Sequence, residues 1–148
     1  MKSEITWRGS RLTFDSKIRQ HEVIMDTKTV NGGADQGASP KELLLAALCG
    51  CAGMDVVGLM RKARAELQTL VVTAEAETTD VHPKIFKEVQ LVFAATGDPS
   101  IQAPLIDAVR LSESLYCGVG AMVAKACPIS YQVTLNGATV ATGHAEFP

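Results

Sequence analysis

The sequence predicts an α+β fold with largely antiparallel sheet, and three observations carry that reading. Short runs that alternate apolar and polar residues, bounded by turn residues, read as strands near both ends and in the middle of the chain. A single long apolar stretch, Leu43–Met60, carries one charge, Asp55, and has the length of a helix rather than a strand. Asn136-Gly137 between two alternating runs is the strongest short-range hairpin signal available. Together these give the order β-β-β-α-β-β-α-β-β in one domain, residues 1–148.

Glu4–Trp7 and Arg11–Phe14 read as short strands around Gly9-Ser10, and Gln20–Asp26 as a third, with His21, Val23 and Met25 on one side. Asn31–Gly37 is a loop of residues that accept left-handed backbone. Ser39-Pro40 supplies an N-cap and a first-turn proline, and Glu42 completes a capping box, so a helix runs from about Pro40 to Arg64. Leu67–Thr78 and Lys84–Thr96 form the next two strands, with Leu70, Val72, Ala74 and Ala76 on one face. Asp98-Pro99 caps a helix continuing through Leu115. A shorter helical piece, Val119–Ala126, stops at Pro128, and Tyr131–Leu135 with Ala138–Thr142 closes the chain as a hairpin.

A net charge of −2 and a pI near 5.9 leave no electrostatic footprint for nucleic acid or for an anionic membrane surface. The N-terminus shows no export signal. Three glycines, Asp55 and missing aromatic belts make Leu43–Met60 read as a covered helix rather than a membrane span. The expected location is the cytoplasm, where thiols are reduced and four cysteines serve chemistry or packing more than stapling. A helix apolar nearly all round must be covered on every side, which points to a homodimer.

Cys49 and Cys51 lie about 200° apart around a helix, so they face different ways and cannot act as a Cys-X-X-Cys pair. Core filling suits Cys49 and Cys127. For Cys51 inert packing and reactivity stand level: Gly50, Ala52 and Gly53 leave space around its sulfur, and Asp55 lies one turn on, on the same face. An ionised Asp55 disfavours a thiolate there, so a reactive Cys51 needs a cation from elsewhere, with Arg8, Arg11 or Arg19 as sources. Cys117 falls at a helix junction where amide donors can hold a thiolate. The cysteine spacing and three scattered histidines match no usual zinc pattern, and no phosphate loop or nucleophile elbow is present.

Ser39-Pro40-Lys41-Glu42-Leu43-Leu44-Leu45-Ala46-Ala47-Leu48, followed by Gly50-Cys51 and Met54-Asp55-Val56-Val57, resembles the central-helix motif of OsmC-like proteins, the osmotically inducible and organic hydroperoxide resistance superfamily. Leu111-Ser112-Glu113, Tyr116-Cys117 and Val119 resemble its second cysteine motif. The resemblance implies an intertwined dimer, with antiparallel sheets wrapped around long central helices. It also implies a thiol peroxidase of organic hydroperoxides: Cys51 attacks the peroxide, Cys117 resolves the sulfenic acid as a disulfide, and an external dithiol reduces it. No cofactor or metal enters that cycle. Asp55, Arg11 and Lys41 are the binding candidates. Lys41 stands where the family's peroxidase branches carry a glutamate after the motif proline, and Glu42 is one residue later. A non-peroxidatic member that binds an apolar ligand, or a redox sensor, are the alternatives.

Overall fold

In the computed structural model, which describes residues 1–148, the chain divides into two units, Met1–Leu44 and Leu45–Pro148. The first holds a three-stranded antiparallel sheet, β1 (Glu4–Trp7), β2 (Phe14–Ile18) and β3 (His21–Met25). The second holds a four-stranded sheet in the order β4-β5-β6-β7, formed by Leu67–Thr78, Phe86–Gly97, Ile129–Leu135 and Ala138–His144. Its pairs are antiparallel except β5 with β6, which are parallel. The helices are α1 (Pro40–Lys62), α2 (Gln102–Leu111) and α3 (Gly118–Ala124).

The second strand is shifted from its expected place: Arg11–Phe14 is mostly turn, and β2 begins at Phe14. Gly9 and Arg11 both adopt positive φ, 83° and 49°, and the Arg8 N–H donates to the Thr13 carbonyl, so the reversal consumes the residues read as strand. The following loop is organised around Asp26, which is 2% exposed. Its carboxylate accepts from the Thr13 hydroxyl and from the backbone N–H groups of Thr27, Ala34 and Gln36. Burial alone would raise the Asp26 pKa, but these donors together hold it below the usual carboxylate range.

The capping box is present: the Ser39 N–H donates to Glu42 Oε2 at 2.7 Å, and the Glu42 N–H to Ser39 Oγ at 3.4 Å. Helix α1 ends at Lys62 rather than Arg64, because Arg64 turns left-handed (φ 55°) and the Ala65 N–H closes back on the Met60 carbonyl. Leu48, Ala52, Val56 and Met60 form a fully covered stripe at a spacing of four. They pack into one core with Val89, Leu91, Phe93 and Ala95, the inward face of β5. Each large member contributes about 1.5–3 kcal/mol by leaving water. Only 22% of the most apolar window of α1 is buried, and Met54 is 75% exposed, so much of its apolar surface lies outside this core.

The helix expected to run unbroken from Asp98 to Leu115 is three pieces: a 3-10 turn at Pro99–Ile101, α2, and a π turn at Ser112–Tyr116. Asp98 caps the first by accepting from the Ser100 N–H. The last helical piece spans Gly118–Ala124 rather than Val119–Ala126. Asn136 and Gly137, at φ 51° and 84°, make the left-handed hairpin turn that joins β6 to β7. The Asn136 amide also grips both backbone groups of Gly97, tying the hairpin to the end of β5.

Candidate functional site

Cys51 and Asp55 lie one turn apart on α1, half-buried, and the π turn brings Cys117 to them. Their ligand atoms, two Sγ and a carboxylate oxygen, all lie within 4.8 Å of one another, and both thiols are free. At 3.6 residues per turn Glu113 and Cys117, four apart, share a face, while Ser112 and Cys117, five apart, diverge by about 140°. The widened turn instead closes with the Cys117 N–H on the Ser112 carbonyl and buries all three, at 0%, 1% and 1% exposure. Cys117 then leaves helical geometry (φ −68°, ψ 95°) and caps α3, its Sγ accepting from the Gly120 N–H at 3.2 Å. This is the amide donor expected at that junction.

Burial pushes the Cys117 thiol up to about 12; the Gly120 N–H pulls the other way, while neighbouring Cys51 and Glu113 add to the rise. Cys117 is therefore a protonated thiol at neutral pH. Asp55 is also raised, by burial, against the opposing pull of the Ser112 hydroxyl. The Ser112 Oγ lies 3.4 Å from Asp55 Oδ2 and 3.2 Å from Glu113 Oε1. One hydroxyl proton cannot serve both acceptors at once. The cluster is satisfied when Glu113 carries its own proton, and burial, with the Asp55 charge adding to it, does push that carboxyl up to about 7. Glu113 Oε2 is buried with no hydrogen-bond partner.

Ser112 and Glu113, read from the sequence only as part of the second cysteine motif, join the candidate site; their burial is unexpected, because a charged residue at a helix end is ordinarily solvated. Cys49 lies on the other side of α1, in an apolar groove with Gly53, Met54, Val57, Leu70 and Val72, as the 200° separation requires. Cys127 is 5% exposed and packs in the core. Arg11 and Lys41 belong to the first unit. There Arg11 donates to the Gly33 carbonyl oxygen, Arg8 pairs with Asp15 at 2.6 Å, and Lys41 is exposed in the first turn of α1.

The family model described as OsmC-like protein matches residues 32–132. The chain is 30% identical to protein YhfA of Escherichia coli K12 over 135 residues, which is 90% of this chain and 98% of that one. It is similar to the crystal structure of a hypothetical protein of Aquifex aeolicus VF5 (29% identity, TM-score 0.74, 91% of this chain and 96% of that one). An organic hydroperoxide resistance protein OsmC of Legionella pneumophila has the same fold at 15% identity, with a TM-score of 0.65 over 90% of this chain and 95% of that one. The motifs around Cys51 and Cys117 lie inside the matched span, and the α+β arrangement of two sheets with helices agrees with these structures. The chain belongs to the OsmC-like family.

Proposed function

We propose that this protein is a thiol-dependent peroxidase of organic hydroperoxides. The observation that carries the reading is the approach of two free thiols from distant parts of the chain, Cys51 and Cys117, beside Asp55. Membership of a family with osmotic and hydroperoxide-resistance relatives supports a redox or stress-response role. The Cys51 thiolate attacks the distal peroxide oxygen; the O–O bond breaks, the sulfur is oxidised to sulfenic acid, and the alkoxide takes a proton from water. The Cys117 sulfur then attacks the Cys51 sulfur, expelling the hydroxyl as water with the thiol proton and forming the disulfide. An external dithiol returns both sulfurs to the reduced state by exchange.

Half-burial of Cys51 among Gly50, Ala52 and Gly53 favours an apolar peroxide over hydrogen peroxide. Binding roles for Asp55, Arg11 and Lys41 form part of the same proposal. A homodimer belongs to it too, because α1 keeps Met54 and much of its apolar surface outside the core. OsmC-like proteins are soluble, and we assign this one to the cytoplasm.

The test is consumption of cumene hydroperoxide with dithiothreitol as reductant. Wild type should turn over, and Cys51→Ser should fall to the rate without protein. Equal rates for the two would remove the enzyme reading. A second reading, binding of an apolar ligand, is favoured by the groove of about 560 Å3 beside Cys49, Met54 and Val72. It predicts a copurifying lipid and no peroxide consumption.

A further inference from the structure

We infer that the reduced protein holds a soft divalent cation of the zinc class between Cys51, Asp55 and Cys117. This is independent of peroxidase activity, and it is invisible in the sequence because the ligands come from one helical turn and from a second segment 66 residues later. Zinc held by thiolates and one carboxylate needs metal–sulfur distances of about 2.3 Å and metal–oxygen distances of about 2.0–2.2 Å, so its ligand atoms must lie about 3.5–4 Å apart. The three atoms here all fall within 4.8 Å of one another before any ion pulls them in. Two thiolates select zinc, cadmium or cobalt over magnesium and calcium, while the carboxylate disfavours copper(I). Three protein ligands leave one tetrahedral position open, and the half-burial of Cys51 and Asp55 gives that position access to water or a small anion.

The surroundings also suit a metal site. Ser112 Oγ donates to Asp55 Oδ2, and the Gly120 N–H donates to Cys117 Sγ, so two of the three ligands are already oriented by hydrogen bonds. Behind them lies Glu113, 1% exposed, with its Oε2 buried and without a partner. Glu113 Oε1 lies 3.2 Å from Ser112 Oγ and so helps to hold the hydroxyl that donates to Asp55. Binding replaces the thiol protons: one divalent ion enters, the two sulfurs bind as thiolates, and up to two protons leave to solvent. Forming the Cys51–Cys117 disulfide consumes both sulfur ligands, so oxidation and metal binding exclude each other.

The experiment is titration of the untagged, reduced, metal-free protein with Co2+ in the absence of peroxide, followed by Zn2+ competition. One Co2+ per chain should bind with a thiolate-to-cobalt charge-transfer band and tetrahedral visible bands, and Zn2+ should erase both. Asp55→Asn and Ser112→Ala, checked for folding by circular dichroism, should each weaken binding about tenfold to a hundredfold. Cys117→Ser and diamide-oxidised protein should lose the charge-transfer band, whereas Cys49→Ser and Cys127→Ser should keep it. No band in wild type, a band that survives in Cys117→Ser, or one that disappears in Cys49→Ser overturns the inference. Unchanged affinity in Asp55→Asn overturns it as well. Because no peroxide is used, these failures are separate from failure of the peroxidase assay.

Discussion

Glu113→Gln should change how stability responds to pH, and the structure sets the size of the effect. The carboxyl is 1% exposed, and burial moves its pKa from 4.5 to about 7. That difference is worth about 3 kcal/mol of preference for the neutral form in the folded state. Between those two values the native protein binds more protons than the unfolded chain, so stability falls as pH rises from 4.5 towards 7 and levels off above. The amide keeps the shape and has no charge to bury. Urea unfolding at fixed protein concentration, from pH 4.5 to about pH 8, should show wild type losing about 3 kcal/mol relative to the variant. Groups remote from Glu113 titrate alike in both proteins and cancel in that difference. Parallel curves, or wild type gaining on the variant with rising pH, would refute a buried neutral Glu113.

Three further outcomes follow from the packing. At Gly120 an added Cβ would meet Phe147 Cζ at 3.0 Å and Cys117 Sγ at 3.1 Å. Gly120→Ala should therefore cost about 1–3 kcal/mol in chemical denaturation and speed alkylation of Cys117, whereas an unchanged alkylation rate contradicts the close fit. Leu48→Ala removes a fully covered side chain from the stripe on α1 and should cost about 2–5 kcal/mol; a loss under 1 kcal/mol means the stripe is not core. Asp26 has a pKa held low by its four donors, so its contribution is present above the ordinary carboxylate range and disappears as pH falls through the folded value. Proteolysis of the loop at residues 26–36 should accelerate on acidification in wild type and already be fast at neutral pH in Asp26→Ala.

What the sequence revealed were features whose cause is local. The capping box needs only Ser39 and Glu42, the hairpin turn only Asn136-Gly137, and the shared face of Cys51 and Asp55 only the helical repeat. Ser112–Tyr116 could not be read as a π turn, because one extra residue per turn leaves no mark on composition and the segment continues the apolar rhythm of α2. The burial of Glu113 followed it out of sight. Leu12 and Phe14 alternate plausibly as strand, while the backbone reversal at Gly9–Arg11, which moves the start of β2 to Phe14, depends on a left-handed φ at Arg11 that its side chain does not advertise. The partnership of Cys51 with Cys117 came from the motif resemblance, since no rule of spacing links residues so far apart.

The central claim is that Cys51 and Cys117 form one redox pair, and peptide mapping of protein exposed to one equivalent of cumene hydroperoxide tests it most directly. The account predicts a single disulfide, Cys51 to Cys117, with Cys49 and Cys127 still alkylatable, and sulfenic acid trapped on Cys51 in the Cys117→Ser variant. A bond from Cys51 to Cys127 or Cys49, or a Cys51 that stays reduced, would contradict it.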